Sequence, residues 1–425
     1  MKKYVDPDRA LWPMLTERVT ADDAVIESRV LTILERVRRD GDKAVVALAS
    51  EIDNVDLTSG FEVTAEEVAQ AVAEVSDDLK SSIDAAYKNI YEFHKAQTFS
   101  PIDVETAPGV RCVQKAVPIR RVGLYIPGGS APLFSTVLML AIPARVAGCR
   151  EVILCTPCSK EGKVAPTVLY AASICGVDRV FKTGGAQAVA AMAYGTETVP
   201  AVDKIFGPGN RYVTKAKEMV SRKVAIDMPA GPSEVLVMAD SSAVPAFVAS
   251  DLLSQAEHGP DSQVILVCPS EDIADKVQEE VAVQLSGLAR KEVAAKALEG
   301  SRVIVIPSLD RQIEFVNAYA AEHLIISMSQ PWTVAERITA AGSIFIGNYT
   351  PESAGDYASG TNHTLPTSGW ARSMSGVNLD SFIRKITYQE ITREGIVALG
   401  GTIVTMARAE GLDAHANAAL IRMKA

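Results

Sequence analysis

The segment LLSQAEHGPDSQ, residues 252–263, places a glutamine and a histidine at the end of a predicted apolar helix. Gln255 and His258 are three residues apart and so share one helix face, while Gly259 and Pro260 stop the helix directly afterwards. The free carbonyl groups of a helix C-terminus favour positive charge, so this turn suits a metal cation or a cationic ligand. A histidine that merely caps those carbonyls is the alternative interpretation.

Two further histidines stand in segments that also contain carboxylates. In AEHLII, Glu322 and His323 are predicted to close an apolar helix just before a strand. Adjacent helical residues point in different directions, which favours two separate proton-transfer tasks; an exposed glutamate beside a capping histidine is the alternative. The segment ESAGDYASGTNHTLPTSG is predicted to be a loop that offers Asp356 and His363 to a ligand, although many surface loops have such a composition.

The last histidine cluster is RAEGLDAHANAAL, near the C-terminus. Gly411 breaks one predicted helix, Asp413 caps the next, and His415 falls in its first turn. The remaining histidine, His94, lies between charged neighbours and is predicted to be a surface residue. None of these spacings is a standard zinc signature, so a metal site would have to be assembled from distant segments, and the residue pattern alone leaves the metal open.

Cysteine usage indicates free thiols. Six cysteines without regular spacing in 425 residues favour a reducing compartment over a disulfide framework. Cys155 and Cys158 form a C-x-x-C that could be redox-active or half of a zinc site, but the sequence has no second such pair. We therefore expect both cysteines to be structural.

Glycine-rich turns are the candidate cofactor elements. No G-x-G-x-x-G follows a predicted strand, so the usual dinucleotide fingerprint is missing. YIPGG, TGGAQA and GPGNRYV nevertheless lie at strand ends, the last two leading into helices, where backbone N–H groups can receive a pyrophosphate. Plain turns between strand and helix would have the same residues.

Hydrophobic periodicity predicts the elements that position these groups. Residues 21–97 have helical spacing, β-rich runs then alternate with helices over 121–240, and a second such series follows a helix at 243–258. In the second series the strands are separated by predicted helices at 271–287, 309–323 and 332–341. Two parallel α/β sheets are the economical architecture. Residues 378–425 are too few for a core of their own, so they should dock on this chain's body or on another chain.

Composition restricts the partners. The net charge of −10 and the pI near 5.2 argue against a broad electrostatic grip on nucleic acid or anionic membrane and favour a small-molecule partner. A hydrophobic share of 48% supports sizeable cores in two or three domains. The N-terminus has aspartates and prolines where a secretory signal has its apolar core, which predicts a cytoplasmic protein.

With these segments in their order, the sequence strongly resembles the histidinol dehydrogenase family over nearly its whole length. The resemblance rests on the segments RVGLYIPGGSAPLFSTVLM, TGGAQAVAAMAYGT, GPGNRYVTKAK, MPAGPSEVLV, LLSQAEHGPDSQ, AEHL, GDYASGTNHTLPT and AEGLDAHANA. It implies a zinc enzyme that oxidises L-histidinol to L-histidinal and then to L-histidine, the last steps of L-histidine biosynthesis. Zn2+ would occupy each site, and two NAD+ would be consumed in sequence.

The resemblance also implies roles for single residues. His323 would be the general base, and Glu322 would activate water for the second oxidation. The zinc ligands would be Gln255, His258, Asp356 and, from the partner subunit, His415. Substrate would be held by these four residues together with Ser233, His323, His363 and Glu410. NAD would be contacted by Tyr125, Gln187 and Asn210. Such a route needs no thiol nucleophile.

The fold implied by the resemblance is α/β, with two incomplete Rossmann-like domains of parallel sheets, a helical N-terminal segment and an extended C-terminal tail that swaps in a homodimer with composite sites. The expected division is an arm at 1–20, a metal-binding domain from 21–124 and 234–377, an NAD-binding domain at 125–233 and the tail at 378–425. Two other classes would share the residue pattern: a zinc hydrolase or lyase that works without NAD, and a non-catalytic metabolite-binding protein built on two α/β lobes.

Overall fold

The computed structural model describes residues 1–18, 24–128, 132–229 and 231–425. The first residues of the predicted helical segment, 21–23, and Gly129 of the turn YIPGG lie outside the described residues. The strands are β1 (Lys2–Val5), β2 (Ile102–Ala107), β3 (Val110–Pro118), β4 (Arg121–Tyr125), β5 (Glu151–Thr156), β6 (Arg179–Lys182), β7 (Lys204–Phe206), β8 (Ala225–Ile226), β9 (Glu234–Ala239), β10 (Gln263–Cys268), β11 (Arg302–Val305), β12 (His323–Ser327), β13 (Ser343–Ile346) and β14 (Ile383–Ile391). All the β-rich runs predicted as strands form strands, because their branched apolar residues suit a pleated, buried surface.

The helices are α1 (Trp12–Thr16), α2 (Ala24–Asp40), α3 (Asp42–Leu48), α4 (Ala65–Glu74), α5 (Asp77–Lys95), α6 (Phe134–Ala147), α7 (Pro166–Ile174), α8 (Gly185–Tyr194), α9 (Arg211–Val220), α10 (Pro245–Ala256), α11 (Glu271–Gly287), α12 (Lys291–Glu299), α13 (Leu309–Tyr319), α14 (Pro331–Ala335), α15 (Glu352–Tyr357), α16 (Arg393–Ala409) and α17 (Asp413–Lys424). Four of them carry proline in the first turn, where its missing N–H leaves no bond unmade: α1, α7, α10 and α14. Among the described residues, no helix combines the length and the apolar character that crossing a bilayer requires.

The larger sheet has six parallel strands in the order β1-β11-β10-β9-β12-β13. Strands β9, β10 and β12 are buried along their whole length, which explains their nearly continuous runs of Val, Leu and Ile. Helices α10, α11 and α12 cover one face, and α1, α13 and α14 cover the other. The segment expected to be an N-terminal arm thus contributes an edge strand, β1, to this sheet.

The second parallel sheet has five strands in the order β6-β5-β4-β7-β8. Helices α4, α5, α6 and α7 pack on one face, and α2, α3, α8 and α9 pack on the other. The helices of residues 24–95 therefore pack on this sheet, whereas the expected division placed residues 21–124 with 234–377. Periodicity predicts that a helix has an apolar face but does not say which sheet receives it, so this boundary is corrected here.

A third sheet, which the sequence analysis did not predict, is antiparallel with the order β14-β3-β2. Its outer strands β2 and β14 are mostly exposed, so they lack the apolar runs that identified the buried strands. Strand β14 belongs to residues 378–425, and its pairing with β3 runs from Ile383 opposite Pro118 to Ile391 opposite Val110. The tail is therefore joined to the body of its own chain by a strand.

Beyond that strand, α16 and α17 form a helical hairpin. Gly411, at φ +72°, makes the turn between them, a backbone conformation that glycine adopts without strain. The hairpin has a small apolar cluster of its own, formed by Val404, Ala407, Ala416 and Ala419. Large apolar side chains on its outer surface are exposed, among them Val397, Met406 and Ile421. The tail is thus a strand and a hairpin rather than an extended segment.

Three segments differ clearly from their predicted structure. The helix expected to continue to residue 323 ends at Tyr319, because Ala320 adopts the left-handed conformation at φ +56°. The helix expected at 332–341 is confined to Pro331–Ala335. The polar segment after residue 351, expected to be a loop, begins with the short helix Glu352–Tyr357. The first two differences concern the ends of elements, where local sequence signals are weakest.

His94 is buried, which corrects its prediction as a surface residue. It lies on the same face of α5 as Ile83, Ala86 and Ile90, at the spacing of three and four residues that a buried stripe requires. Its Nδ1 is 2.8 Å from the carbonyl oxygen of Ile90, and its Nε2 is 3.3 Å from Nδ2 of Asn362. Burial lowers the pKa of His94, so this histidine is a neutral member of the core.

Candidate active site and metal centre

A cleft of about 700 Å³ lies between the two parallel sheets. Its first wall is formed by segments that follow strands of the five-stranded sheet, through Pro127 after β4, Asn210 after β7 and Pro229 after β8. Its second wall receives the amino-terminal ends of β9 and β12, through Glu234 and His323. Parallel α/β sheets bind ligands at the carboxyl ends of their strands, so the first wall is the one suited to a dinucleotide.

The structure brings most of the predicted site residues to this cleft. Its lining includes Ser233, Asn210, Gln255, His258, Glu322, His323, Asp356 and His363. Four other predicted residues are not among the described residues that line it. Glu410 and His415 are exposed on the tail hairpin, and Tyr125 and Gln187 are buried.

A group of possible metal ligands lies in the second wall. His258, Glu352 and Asp356 each place one ligand atom within 4.8 Å of the others. Gln255, one turn before His258, is fully buried, and neither polar atom of its amide has a hydrogen-bond partner among the described residues. A buried amide without partners is costly unless a ligand satisfies it, and imidazole together with oxygen donors suits Zn2+. The residues present therefore fit the zinc ion that the resemblance implies.

Glu352 is the member of this group that the sequence analysis missed. It lies four residues before Asp356 on α15, so both carboxylates share one helix face, a spacing that is visible in the sequence. One of its oxygens accepts a hydrogen bond from the hydroxyl of Ser254 at 2.9 Å, and Oε1 has no hydrogen-bond partner in the described ranges but lies 4.0 Å from Nδ1 of His323. Burial raises the pKa of Glu352 to about 8.

His323 is the first residue of β12, and its ring is buried. Nδ1 lies 3.1 Å from the carbonyl oxygen of Glu234, while Nε2 lies 3.8 Å from Oδ1 of Asp356 and has no hydrogen-bond partner among the described residues. In the neutral ring, an Nδ1–H donated to that carbonyl leaves the lone pair on Nε2. Burial opposes the charged ring, but the nearby carboxylates, above all Glu322, outweigh it and raise the pKa of His323 to about 10. A cation bound by Asp356 and Glu352 would offset the negative charge of these two carboxylates and so reduce their effect on the pKa of His323.

Glu322 directly precedes β12 and is held by different contacts. Its Oε2 accepts the backbone N–H of Glu234 at 2.8 Å and lies 3.5 Å from Nδ1 of His323. Burial raises the pKa of Glu322, which makes its carboxylate a stronger base than that of an exposed glutamate. The carbonyl of Glu322 accepts the N–H of Ser343 at 2.9 Å, and a methyl group on Gly342 would lie 2.5 Å from that carbonyl oxygen. Close packing of the backbone thus fixes Glu322 at the wall of the cleft.

His363 connects the two walls. Its Nε2 lies 3.2 Å from the hydroxyl of Thr136 on α6, which packs on the five-stranded sheet, and its Nδ1 lies 3.0 Å from the carbonyl oxygen of Asp356. Burial lowers the pKa of His363 and so favours its neutral ring. A neutral imidazole has one donor and one acceptor, and here the carbonyl of Asp356 and the hydroxyl of Thr136 engage both.

The loop GPGN after β7, residues 207–210, is anchored by a buried ion pair between Lys217 and Asp227. The ammonium group of Lys217 donates to the carbonyl of Gly207 at 2.8 Å, and the carboxylate of Asp227 accepts the N–H of Gly207 at 2.8 Å. Gly207 is at φ +123°, and any side chain there would collide with the carbonyl oxygen of Tyr125. Asn210 then caps α9, its Oδ1 accepting two backbone N–H groups.

Tyr125 and Gln187, the other two predicted NAD contacts, make hydrogen bonds inside the protein. The hydroxyl of Tyr125 accepts the N–H of Gly185 at 3.1 Å, and Nε2 of Gln187 donates to Oδ2 of Asp53 at 3.0 Å. Both contacts support the turn TGGAQA at the start of α8. Their role as NAD contacts stays a prediction.

The six cysteines are unpaired, as the sequence analysis predicted. Cys155 is fully buried in β5 and Cys158 is partly buried, and burial raises the pKa of both thiols. A thiol with a raised pKa is a poor nucleophile and a poor metal ligand at neutral pH. The C-x-x-C is therefore a structural feature of the strand and the turn that follows it.

Two parallel sheets that meet at a cleft, with histidines and carboxylates on one wall and a glycine-rich loop on the other, define an α/β enzyme that acts on a small polar molecule. Comparison with known proteins identifies its family. A family model described as histidinol dehydrogenase matches residues 16–423. The chain belongs to the histidinol dehydrogenase family, whose members are NAD-dependent oxidoreductases acting first on an alcohol and then on an aldehyde.

Individual relatives match this chain over all or nearly all of its length. A histidinol dehydrogenase of Bacteroides thetaiotaomicron is 56% identical over 424 residues, which cover 100% of this chain and 99% of that protein. One of Salmonella typhimurium is 54% identical over 410 residues, covering 96% and 93%. The crystal structure of histidinol dehydrogenase from Elizabethkingia anophelis has a TM-score of 0.97 at 50% identity, covering 100% of this chain and 98% of that chain.

Proposed function

We propose that this chain oxidises L-histidinol through L-histidinal to L-histidine, using two NAD+, with His323 as the general base of both oxidations. One observation carries the proposal: Nε2 of His323 is buried and without a hydrogen-bond partner among the described residues, at the wall of a cleft that also holds a group of metal ligands. A polar atom in that position needs either water or a ligand. The reacting hydroxyl of histidinol is such a ligand.

The residues that would hold zinc are Gln255, His258 and Asp356 of one chain and His415 of a second chain. The unpartnered amide of Gln255 and the short separations among the other body residues support this assignment. Glu352 belongs to the same group and can serve as a further oxygen ligand or as a partner of the ligands. When bound, one zinc ion per site supplies a positive charge that holds the nitrogen atoms of histidinol in a fixed orientation.

In the first oxidation, Nε2 of His323 accepts the proton of the substrate hydroxyl while the hydride leaves the same carbon for NAD+. The hydrogen bond from Nδ1 to the carbonyl of Glu234 holds the ring in the tautomer that this task requires. The product is the aldehyde, histidinal. A general base in such a position accelerates proton transfer by about 10² to 10⁴.

In the second oxidation, the carboxylate of Glu322 takes a proton from water as that water adds to the aldehyde carbon. His323, protonated in the first oxidation, returns its proton to the former aldehyde oxygen, which completes the gem-diol and leaves the ring neutral again. His323 then accepts a proton from the gem-diol while the second hydride leaves for NAD+, and the carboxylic acid results. The pKa of Glu322, raised by burial, suits this task at neutral pH. No cysteine is required, in agreement with the burial of Cys155 and its raised thiol pKa.

Further contacts complete the proposed site. Ser233 and His363, together with Glu410, hold the substrate, and Asn210, Tyr125 and Gln187 contact NAD. Ser233 and Asn210 lie on the cleft, on its second and first walls respectively, which supports their roles.

A cytoplasmic location stays a prediction from the N-terminal sequence.

A homodimer with composite sites would bring Glu410 and His415 to the cleft. Both are exposed on the tail hairpin and outside the described lining, so that another copy of the chain can receive them. The exposed side chains of Val397, Met406 and Ile421 on the same hairpin support a covered surface in the assembly. In this arrangement the body of one chain and the hairpin of the other form each site.

The division of labour between the two bases is the direct test. His323→Asn should slow the oxidation of both histidinol and histidinal, whereas Glu322→Gln should slow histidinal oxidation by about 10²-fold more than histidinol oxidation. Formation of NADH from each substrate measures both steps. Equal losses on the two substrates in the Glu322 variant would overturn the assignment, and the absence of NADH from the wild-type protein would favour a hydrolase or a binding protein.

A further inference from the structure

A buried ion pair links the N-terminal segment to the wall of the cleft. The guanidinium of Arg18 donates two hydrogen bonds to the carboxylate of Glu234. Nε donates to Oε1 at 3.0 Å, and Nη2 donates to Oε2 at 2.8 Å. The side chains are 14% and 2% exposed. Both residues lie at the cleft, yet the mechanism proposed above uses neither side chain.

Most donors of Arg18 are already in use. Nη1 donates to the carbonyl of Thr16 at 2.9 Å, Nη2 donates to the carbonyl of Tyr319 at 2.9 Å, and the guanidinium lies 3.7 Å from the centre of the Tyr319 ring. An arginine that binds a phosphate or carboxylate ligand needs free N–H donors on its guanidinium group. The contacts of Arg18 therefore indicate that it fixes Glu234 and does not bind a ligand.

The backbone of Glu234 holds both proposed bases. Its N–H donates to Oε2 of Glu322 at 2.8 Å, and its carbonyl oxygen is 3.1 Å from Nδ1 of His323. The carboxylate of Glu234 also accepts the N–H of Ser368 at 2.7 Å. One residue, anchored through its side chain, thus sets the orientation of two others through its main chain.

We propose that Arg18 and Glu234 are positioning residues for the pair Glu322 and His323, a proposal that rests on the roles assigned to that pair above. Stability alone is a weak reason for a buried ion pair, because apolar side chains of similar volume in its place are often equally stable or more so. Position is a stronger reason, since a displacement of about 1 Å at a reacting group can cost on the order of 10²-fold in rate. Movement of Glu234 would displace both bases together.

The test compares three variants with the wild type: Arg18→Met, Glu234→Gln, and the double variant with both changes. Arg18→Met leaves the Glu234 carboxylate buried without its cation, so it should lower the melting temperature, and the double variant should recover part of that loss because neither charge remains. We expect kcat for both histidinol and histidinal to fall by about 10- to 100-fold in all three, with KM within about threefold. The recovery of stability should not restore kcat.

Controls separate a positioning role from general loss of structure. Arg121→Met breaks the partly buried pair of Arg121 with Glu151, at the start of β4 and outside the cleft lining, and should lower stability with kcat unchanged. Arg18→Lys keeps the charge but loses the two-pronged contact, and should show a smaller fall in kcat than Arg18→Met. Bound metal, measured in each purified variant by elemental analysis, should stay at the wild-type level.

A double variant with restored melting temperature and wild-type kcat would overturn the proposal, because the pair would then serve the fold alone. Loss of bound metal in Arg18→Met, or an equal fall in kcat in Arg121→Met, would overturn it as well. His323→Asn is assayed alongside: if that variant keeps full turnover, the role of His323 is wrong whatever Arg18 does. The two failures are thus distinguishable.

Discussion

The hydroxyl of Thr136 lies 3.2 Å from Nε2 of His363 and thereby joins a helix of the five-stranded sheet to the metal-binding wall of the cleft. Because Nδ1 of the same ring is held by the carbonyl of Asp356 at 3.0 Å, the imidazole is fixed at both nitrogens. The orientation of His363, a proposed substrate contact, therefore depends on how the two sheets are placed relative to each other.

Thr136→Val should raise KM for histidinol by about tenfold, the equivalent of one lost hydrogen bond, with a smaller change in kcat. Valine keeps the shape of threonine but cannot bond to the ring. Steady-state kinetics at saturating NAD+ measure the effect. Thr167→Val is the matched control, since the buried hydroxyl of Thr167 has no partner among the described residues. Unchanged KM in the Thr136 variant would show that the contact does not orient His363 for substrate.

Composite sites can be tested by mixing two inactive variants. His258→Ala removes a ligand from the body and His415→Ala removes one from the tail. After co-denaturation and refolding, half the dimers are mixed, and each mixed dimer has one site with both histidines, so about a quarter of wild-type activity should return. Native mass spectrometry confirms the mixing. No recovery in confirmed mixed dimers would place His415 in the site of its own chain.

Chelation should abolish turnover, and added Zn2+ should restore it. The proposed ligands include the neutral groups of Gln255 and His258, which release a metal reversibly when a chelator competes for it. Activity and metal content are measured on the same samples before chelation, after it and after addition of zinc. Full activity in a sample verified to contain no metal would rule out a role for zinc in the reaction.

Replacement of all six cysteines by Ser or Ala should leave both oxidations within about threefold of wild type, provided that the variant folds. The thiols of Cys149 and Cys268, for example, have pKa values that burial raises to about 12 and about 11. Circular dichroism and metal analysis serve as controls for folding. A selective loss of histidinal oxidation with structure and zinc retained would indicate a covalent thiohemiacetal route instead.

Asp251→Asn should stabilise the protein at pH 8 more than at pH 4. Burial raises the pKa of Asp251 to about 7 from its ordinary value of 3.8. The folded chain therefore binds more protons than the unfolded chain between pH of about 4 and 7, and this group removes stability as the pH rises through that window. The variant should gain on the order of 4 kcal/mol at pH 8 relative to pH 4, measured by urea unfolding. Glu279→Gln, at an exposed carboxylate of α11, should show no such difference.

Sequence patterns were sufficient for the parts of the fold that are buried on both sides. Strands such as β10 and β12 are buried along their whole length and have an uninterrupted apolar run in their middle, so their position follows from composition. Strands β2 and β14 were missed because their exposed faces carry no such pattern. The packing of α2 to α5 on the five-stranded sheet depends on contacts between distant segments, which local periodicity does not contain.

At the candidate site, too, local sequence patterns identified some residues and missed others. Gln255 and His258 were found because a polar pair at the end of an apolar helix is conspicuous. Glu352 was missed because the glycine- and serine-rich residues around it suggested a loop, although its spacing from Asp356 is that of a helix face. The prediction that His94 is exposed was wrong for a related reason. Its charged neighbours in sequence lie on other faces of the helix than the buried face that contains Ile90 and His94. Contacts such as that of Arg18 with Glu234, 216 residues apart, leave no trace in local sequence.

Strand β1 has a consequence for how the chain matures during synthesis. Lys2–Val5 pairs with Arg302–Val305, so this segment can form its pairing only after about 300 further residues have been added. At roughly 5 to 20 residues per second, the delay on the ribosome is about 15 to 60 s. During the same time Arg18 cannot form its hydrogen bond to the carbonyl of Tyr319, because that residue has not yet been synthesised. Completion of the six-stranded sheet is thus a late event in biosynthesis, and a chain arrested before residue 302 would leave Lys2–Val5 unpaired.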